Sequence, residues 1–209
     1  GVTVFAPDGT VLRTPLLSCG EIDRSSVQVA AAADGTIYLT YAAYGSVPAG
    51  FDTMLVRVPP GGDRGDGVLA YTDGVLWHEA RFLDPAVSPD GSIVLVRRTY
   101  TGDIATVTGP TTLQPRPGTS GIRSYEVRNA GTIVAAKGNT VVTIAPDGTE
   151  TVLAGTGDAG FSGDGGPATQ ATLNDVSDIA ETPTGAILVA DRGNGRVRHI
   201  GPDGIIRTV

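Results

Sequence analysis

A glycine spacing able to cradle a phosphate stands at Gly155-Thr156-Gly157-Asp158-Ala159-Gly160, with Asp175 and Asp178 at about the distance of a ribose-binding carboxylate. A dinucleotide site also needs a helix starting at the third glycine, so that its first amides meet the pyrophosphate. Gly163, Gly165, Gly166 and Pro167 follow at once and forbid that helix, so the stretch is expected to be a loop. Asp158, Ser162 and Asp164 offer oxygen donors for calcium, yet their spacing is not that of an EF-hand, and a turn-rich packed loop is preferred. Gly160-Phe161-Ser162-Gly163-Asp164 lacks the last glycine of a nucleophile elbow. Histidine, the usual acid–base group, occurs twice. His199 falls on an alternating strand and reads as surface, whereas His78, in Leu76-Trp77-His78-Glu79, sits in a connection. No catalytic residue is assigned. Cys19 is the single cysteine, which excludes an intrachain disulfide and a cysteine-based zinc site. Two histidines without clustered carboxylates make no zinc site either.

The charge balance narrows the partners. A net charge of −7 argues against nucleic acid, which needs a positive field to displace counterions. Arg192, Arg196 and Arg198 are close in sequence, and Arg196 and Arg198 share one strand face; they read as solvated rim or structural arginines. No apolar stretch approaches the length of a membrane span, and no signal peptide opens the sequence. Lys137 is the sole lysine among 15 basic residues, a skew that fits a GC-rich, bacterial coding sequence.

The elements that would hold these side chains are short β-type runs joined by tight glycine turns, with almost no helical periodicity. Near the end, Val176 to Glu181, Ala186 to Ala190, Arg196 to Ile200 and Ile205 to Val209 form four successive strands. The AILVA run is apolar throughout, as in a strand buried on both faces. The same order appears upstream, with first-turn glycines at Gly35, Gly91, Gly131 and Gly185, spaced by 56, 40 and 54 residues. Propeller blades repeat at about 40–50 residues, with loops absorbing the slack. The expected fold is therefore all-β: a β-propeller of four-stranded antiparallel blades, about four and a half of them, within a six-bladed ring. The expected divisions are an outer half-blade at 1–17, blades at 25–72, 80–117 and 121–153, a long interblade loop at 154–173 and a last blade at 174–209. Because residues 1–17 supply only two strands, the sequence reads as an excerpt of a larger propeller, or as one closed by strands beyond Val209.

Residues Ala154 to Val209 resemble an NHL repeat of the bacterial kind. The resemblance is carried by GFSGDGGPA followed by A-x-L, by Ala190-Asp191, and by Asn194 and Arg196. It covers about a quarter of the chain. Lys137-Gly138-Asn139-Thr140 is a shortened version of the motif, and the first two blades lack it. Similar repeats occur in the propellers of teneurins, bacterial Rhs-type shell proteins and extracellular sensor domains of bacterial kinases. The resemblance implies a propeller that binds partners through its faces.

From these readings Asp191, Asn194 and Arg196 are expected to be structural, the first two capping a strand bend and the arginine tying it. The long loop is the expected contact surface, with Asp158, Phe161, Ser162 and Asp164 as binding candidates, although Phe161 also reads as a plug between blades. The expected function is a non-catalytic scaffold for a protein or glycan outside the bacterial cytoplasm, in the manner of a teneurin-like or toxin-shell module. Other blades or domains of the same polypeptide are further expected partners. No cofactor is assigned, calcium being the one ion considered. The competing function is a six-bladed lactonase or lyase with an axial metal, for which Gln28, Glu126 and Asp178 are the candidate first-strand positions, without a matching set in every blade. A third possibility is purely architectural packing in a shell.

Overall fold

The computed structural model describes residues 3–5, 11–13, 28–47, 50–58, 68–71, 83–98, 102–109 and 112–209. His78, Cys19 and the Ala6–Gly9 turn lie outside them, as do the expected blade boundaries between 17 and 25 and between 72 and 80. The chain divides into two compact units, Gly1–Tyr100 with Ile104–Pro115, and Thr101–Asp103 with Arg116–Val209.

The first unit begins with a hairpin of β1 (Thr3–Phe5) and β2 (Val11–Arg13). A four-stranded antiparallel sheet follows, made of β3 (Gln28–Ala31), β4 (Ile37–Val47), β5 (Gly50–Val58) and β6 (Val68–Tyr71), paired in chain order. Its central hairpin is longer than the turn rhythm predicts. Tyr41-Ala42-Ala43-Tyr44 contains no turn former, so the ladder runs on to Val47↔Gly50. The second sheet joins β7 (Leu83–Val87), β8 (Val94–Arg98), β9 (Ile104–Gly109) and β10 (Thr112–Pro115) in the same way. Ala32, Tyr38 and Val96 are buried together with Val87, Val94, Ala105 and Val107 around them, so the two sheets share apolar faces.

The second unit has two further sheets of the same design. One holds β11 (Ser124–Val127), β12 (Ile133–Lys137), β13 (Thr140–Ile144) and β14 (Glu150–Ala154); the other holds β15 (Val176–Glu181), β16 (Ile187–Asp191), β17 (Arg196–Ile200) and β18 (Ile206–Thr208). One continuous core links them, with Val134, Ala136 and Val141 from the first sheet against Ile179, Ile187 and Val189 from the second. Helical structure among the described residues is limited to three single 3-10 turns, at Asn129–Gly131, Ala168–Gln170 and Arg192–Asn194.

The tight turns explain the regular spacing. In four Asp-Gly turns the aspartate accepts the amide two residues on: Asp34 from Thr36 (2.8 Å), Asp90 from Ser92 (3.1 Å), Asp147 from Thr149 (2.9 Å) and Asp203 from Ile205 (3.1 Å). The glycine then takes the left-handed region, as at Gly35 (φ 85°) and Gly148 (φ 91°), where a Cβ would be strained. Each such turn reverses the chain within four residues. Four-stranded sheets in chain order are the result, and these are blades of the β-propeller class.

Candidate functional site

The long loop between the last two sheets is a packed structure. Ala168, Ala171 and Leu173 are buried beneath it. Backbone bonds tie both its ends: Gly155 and Thr156 donate to Ala168 and Ala171 (3.0 and 2.9 Å), and Gly160 donates to Leu173 (3.1 Å). Its middle docks on β18, with Gly165 donating to Ile206 (2.8 Å) and Ile206 to Gly166 (3.1 Å). The glycine-rich spacing serves this folding and opens no helix. At Gly163 (φ +88°) a Cβ would stand 2.6 Å from that of Ala171, so only glycine lets the two backbones approach.

A buried arginine locks the loop to the sheet. Arg198 on β17 is fully buried (0% exposed), and so is Asp191 at the end of β16. Arg198 donates through Nη1 to Asp191 Oδ2 (3.3 Å), and through Nη2 to the Ser162 carbonyl and to Asp164 Oδ1 (both 2.9 Å). Asp191 Oδ1 accepts the Asn174 amide (2.8 Å), and its Oδ2 also accepts Asn194 Nδ2 (2.8 Å). Asn194 Nδ2 in turn reaches the Gly160 carbonyl (2.8 Å). A charge can stay in this interior because it is paired and bonded on several sides. The Arg198 Nε is the exception, being buried without a hydrogen-bond partner among the described residues.

Several candidates from the sequence meet here. Asp191 and Asn194 hold the strand bend, and Ser162 and Asp164 lie in the same network. The tying arginine, however, is Arg198. Arg196 lies in the solvent-exposed first position of β17 and places its guanidinium 4.4 Å from the centre of the Phe161 ring. Both arginines share one face of the strand, but only Arg198 is paired across from Val189 and Thr208, where the loop covers it. Nothing local in the sequence separates the two arginines, because the groups that engage Arg198 are 36 and 34 residues away. Phe161 does not plug a gap: it is 45% exposed, because Ala168, Ala171 and Leu173 already fill the space beneath the loop. Arg198 also lies near its ring, at 4.9 Å. Asp158 is exposed, and among the described residues only its backbone amide is engaged, weakly, by Thr156 Oγ1 (3.4 Å).

A calcium ion does not fit this donor set. Both Asp164 oxygens are taken, one by Arg198 and the other by Thr208 Oγ1 (2.7 Å). Ser162 Oγ accepts from the amide and the hydroxyl of Thr172 (3.1 and 2.9 Å). A guanidinium bonded to the carboxylate would repel the cation.

The first strands of the two sheets carry a second polar array. Ser124 Oγ donates to Asp178 Oδ1 (2.6 Å), and Arg128 forks onto Glu181 through Nε and Nη2 (3.0 and 2.7 Å). Arg123 and Arg192 converge on the two oxygens of Asp175, Arg192 through Nε at 2.9 Å. Asp175 itself is left-handed (φ 56°), with its amide on Asn139 Oδ1 (2.8 Å). Glu126 and Asp178 are exposed on β11 and β15, and Gln28 is exposed on β3 in the other unit. Among the described residues no group of three or more histidine, cysteine or acidic side chains is placed to hold a metal.

These carboxylates predict an acid response. Hydrogen bonds from Arg123 and then Arg192 hold Asp175 below its ordinary value of 3.8, and bonds from Thr208 and Arg198 do the same for Asp164. Asp90 and Asp147 are lowered by their turn partners, Ser88 with Ser92 and Thr149. A depressed carboxylate stabilises the fold above its unfolded value and stops doing so as pH falls through the folded one. The urea midpoint should therefore be flat from neutrality to about pH 4 and fall below it. Asp175→Asn should be less stable at neutral pH and show a shallower acid decline; a decline as steep as the parent's would refute the assignment.

No family model matches the chain, and no curated protein matches it. Solved structures do resemble it. A streptogramin B lyase shares 13% identity over 99% of this chain and 60% of its own, with a TM-score of 0.55. An auxiliary nutrient binding protein from Bacteroides thetaiotaomicron shares 16% over 80% of this chain and 45% of its own (TM-score 0.53). A gluconolactonase from Xanthomonas campestris shares 18% over 90% and 60% (TM-score 0.51). The chain thus spans about 60% of the length of the lyase it resembles. At these identities the likeness is one of fold: an all-β chain of about four propeller blades. No helix among the described residues is long and apolar enough to cross a membrane.

Proposed function

We propose that the chain is part of an NHL-type β-propeller that serves as a non-catalytic scaffold, presenting its long loop to a protein or glycan partner outside the bacterial cytoplasm. A teneurin-like or toxin-shell protein is the parent architecture that fits the resemblance in the last blade. One observation carries the reading: residues 155–173 are fixed to the sheet by a buried arginine, while Phe161 and Asp158 face solvent. Rigid support beneath an exposed aromatic lowers the ordering cost of binding. Phe161 with Arg196 offers an apolar face and a cation side by side, and Asp158 adds an exposed carboxylate that has no hydrogen-bond donor among the described residues. The nutrient-binding propeller is a precedent for ligand binding by this fold.

Screening the chain on peptide and glycan arrays tests this. Any ligand found should bind about tenfold or more weakly to Phe161→Ala and to Asp158→Ala, with Arg207→Ala on β18 as an unaffected surface control. Ligands indifferent to both loop variants would refute the loop as the contact surface. The lyase and the gluconolactonase supply a second reading, a lactonase or lyase with an axial metal. Metal-dependent lactone hydrolysis or elimination that is lost in Glu126→Gln or Asp178→Asn would favour it. Against it stands the engagement of Asp175, Asp178 and Glu181 by neighbouring donors.

A further inference from the structure

Arg123, Asp175 and Arg192 come from three separate segments of the second unit and meet at one carboxylate. Arg123 precedes β11, Asp175 precedes β15, and Arg192 opens the turn between β16 and β17. Arg192 reaches Asp175 Oδ2 through Nε (2.9 Å) and Nη2, and Arg123 reaches Oδ1 through Nη1. Two guanidiniums thus share one carboxylate, which leaves a local positive excess in a chain of net charge −7. The other ion pairs among the described residues of this unit have no such excess. Arg128 pairs with Glu181 and Lys137 with Glu150, one to one, while Arg198 meets two carboxylates.

The same groups hold unused donors. Arg123 Nε and Nη2 and Arg192 Nη1 donate to nothing among the described residues. Both side chains are open to solvent, Arg123 being 43% and Arg192 63% exposed. On a guanidinium, Nε and Nη2 form a fork that matches the two oxygens of a carboxylate. Arg123 therefore presents a whole fork, and Arg192 one further donor. The frame around them is fixed. Asp175 has a φ of 56°, which residues other than glycine seldom take. Its amide donates to Asn139 Oδ1 (2.8 Å), the Val176 amide to the Gly138 carbonyl (3.0 Å), and the Gly193 amide to the Asn174 carbonyl (2.8 Å). The last bond ties the backbone beside Arg192 to the backbone beside Asp175. Backbone held in a sparse region by its surroundings is a feature of ligand clamps.

We propose that Arg123 and Arg192 form a binding site for the carboxylate group of a ligand, with Asp175 holding the two guanidiniums together. Arg123 supplies its Nε/Nη2 fork and Arg192 its Nη1. The arrangement already accommodates one planar carboxylate, that of Asp175, between the two cations. A single excess charge suits a monoanion better than a phosphate dianion. The site uses none of the residues of the 155–173 loop reading, and either can fail alone.

The test titrates the full isotope-labelled chain with acetate, follows the arginine Nε–H resonances, and holds ionic strength constant with chloride. Acetate should shift the Arg123 and Arg192 resonances saturably, with half-saturation at about 10 mM or below, and leave Arg207 on β18 unmoved. Arg123→Gln and Arg192→Gln, both at exposed positions, should each weaken binding about tenfold. Asp175→Asn keeps an acceptor for the guanidiniums but removes the charge that repels the ligand, and should tighten binding about threefold or more. An ion pair with a structural role alone has no such response. Trigalacturonate then assigns the source of the carboxylate. Affinity more than about threefold above that of acetate, beyond its three equivalent groups, marks an acidic glycan, and acetate-like affinity per group marks a free small acid. Shifts that chloride alone reproduces, or acetate affinity unchanged in both arginine variants, would overturn the proposal. So would unchanged or weaker affinity in Asp175→Asn.

Discussion

Arg198→Met lowers the free energy of unfolding by about 3–5 kcal/mol, the range for removing one partner of a buried ion pair. Arg198 and Asp191 are both fully buried, so the variant leaves Asp191 with a charge in an apolar interior and only the Asn174 amide and Asn194 side chain to solvate it. The Ser162 carbonyl and one Asp164 oxygen lose their donor in the same step. The loop should then release, and protease cleavage within 155–173 should accelerate before the sheets unfold. Arg198→Lys should not rescue the loss. One ammonium cannot reproduce a guanidinium reaching Asp191 on one nitrogen and Ser162 and Asp164 on another. Urea denaturation with limited proteolysis reads both effects. A loss below about 1 kcal/mol would mean that the network contributes little to holding the loop.

Leu173→Ala should cost about 2–5 kcal/mol, as large-to-small changes in closed cores do. Leu173 is 0% exposed within the core that joins the last two sheets. Its backbone accepts from Gly160 and forms a parallel bridge with Ala159, so the surroundings cannot easily collapse into the cavity. Val152→Ala is the matched control. Val152 lies on β14 with 42% of its surface exposed, and its truncation should change stability by no more than about 0.5 kcal/mol. Equal losses at the two positions would show that the loop is not part of the core.

The blade architecture was legible in the sequence because its cause is local. An Asp-Gly turn is made by its own residues, the aspartate accepting an amide two positions on and the glycine taking positive φ. At Asp34, Asp90, Asp147 and Asp203 such turns have strands on either side. The candidate loop was legible in outline for a related reason: its glycines forbid a helix. What the loop does with its side chains was not. Arg196 and Arg198 have the same charge, two residues apart on one strand face, and differ only in what covers them. That cover comes from Ser162 and Asp164, more than thirty residues away. The central hairpin of the first sheet was underestimated for the opposite reason, since Tyr41 to Tyr44 offers no stop signal and the ladder simply continues.

Every sheet described pairs its strands in chain order, and the side-chain bonds that Arg123, Ser124 and Arg128 make to the following sheet reach residues 52, 54 and 53 further on. Cooperativity in such a molecule is a nearest-neighbour property, as in a one-dimensional lattice. Under a pulling force, the second unit should therefore yield in steps of one sheet, each releasing a comparable length of chain. The gain or loss of a whole sheet by gene rearrangement would leave the remaining contacts intact.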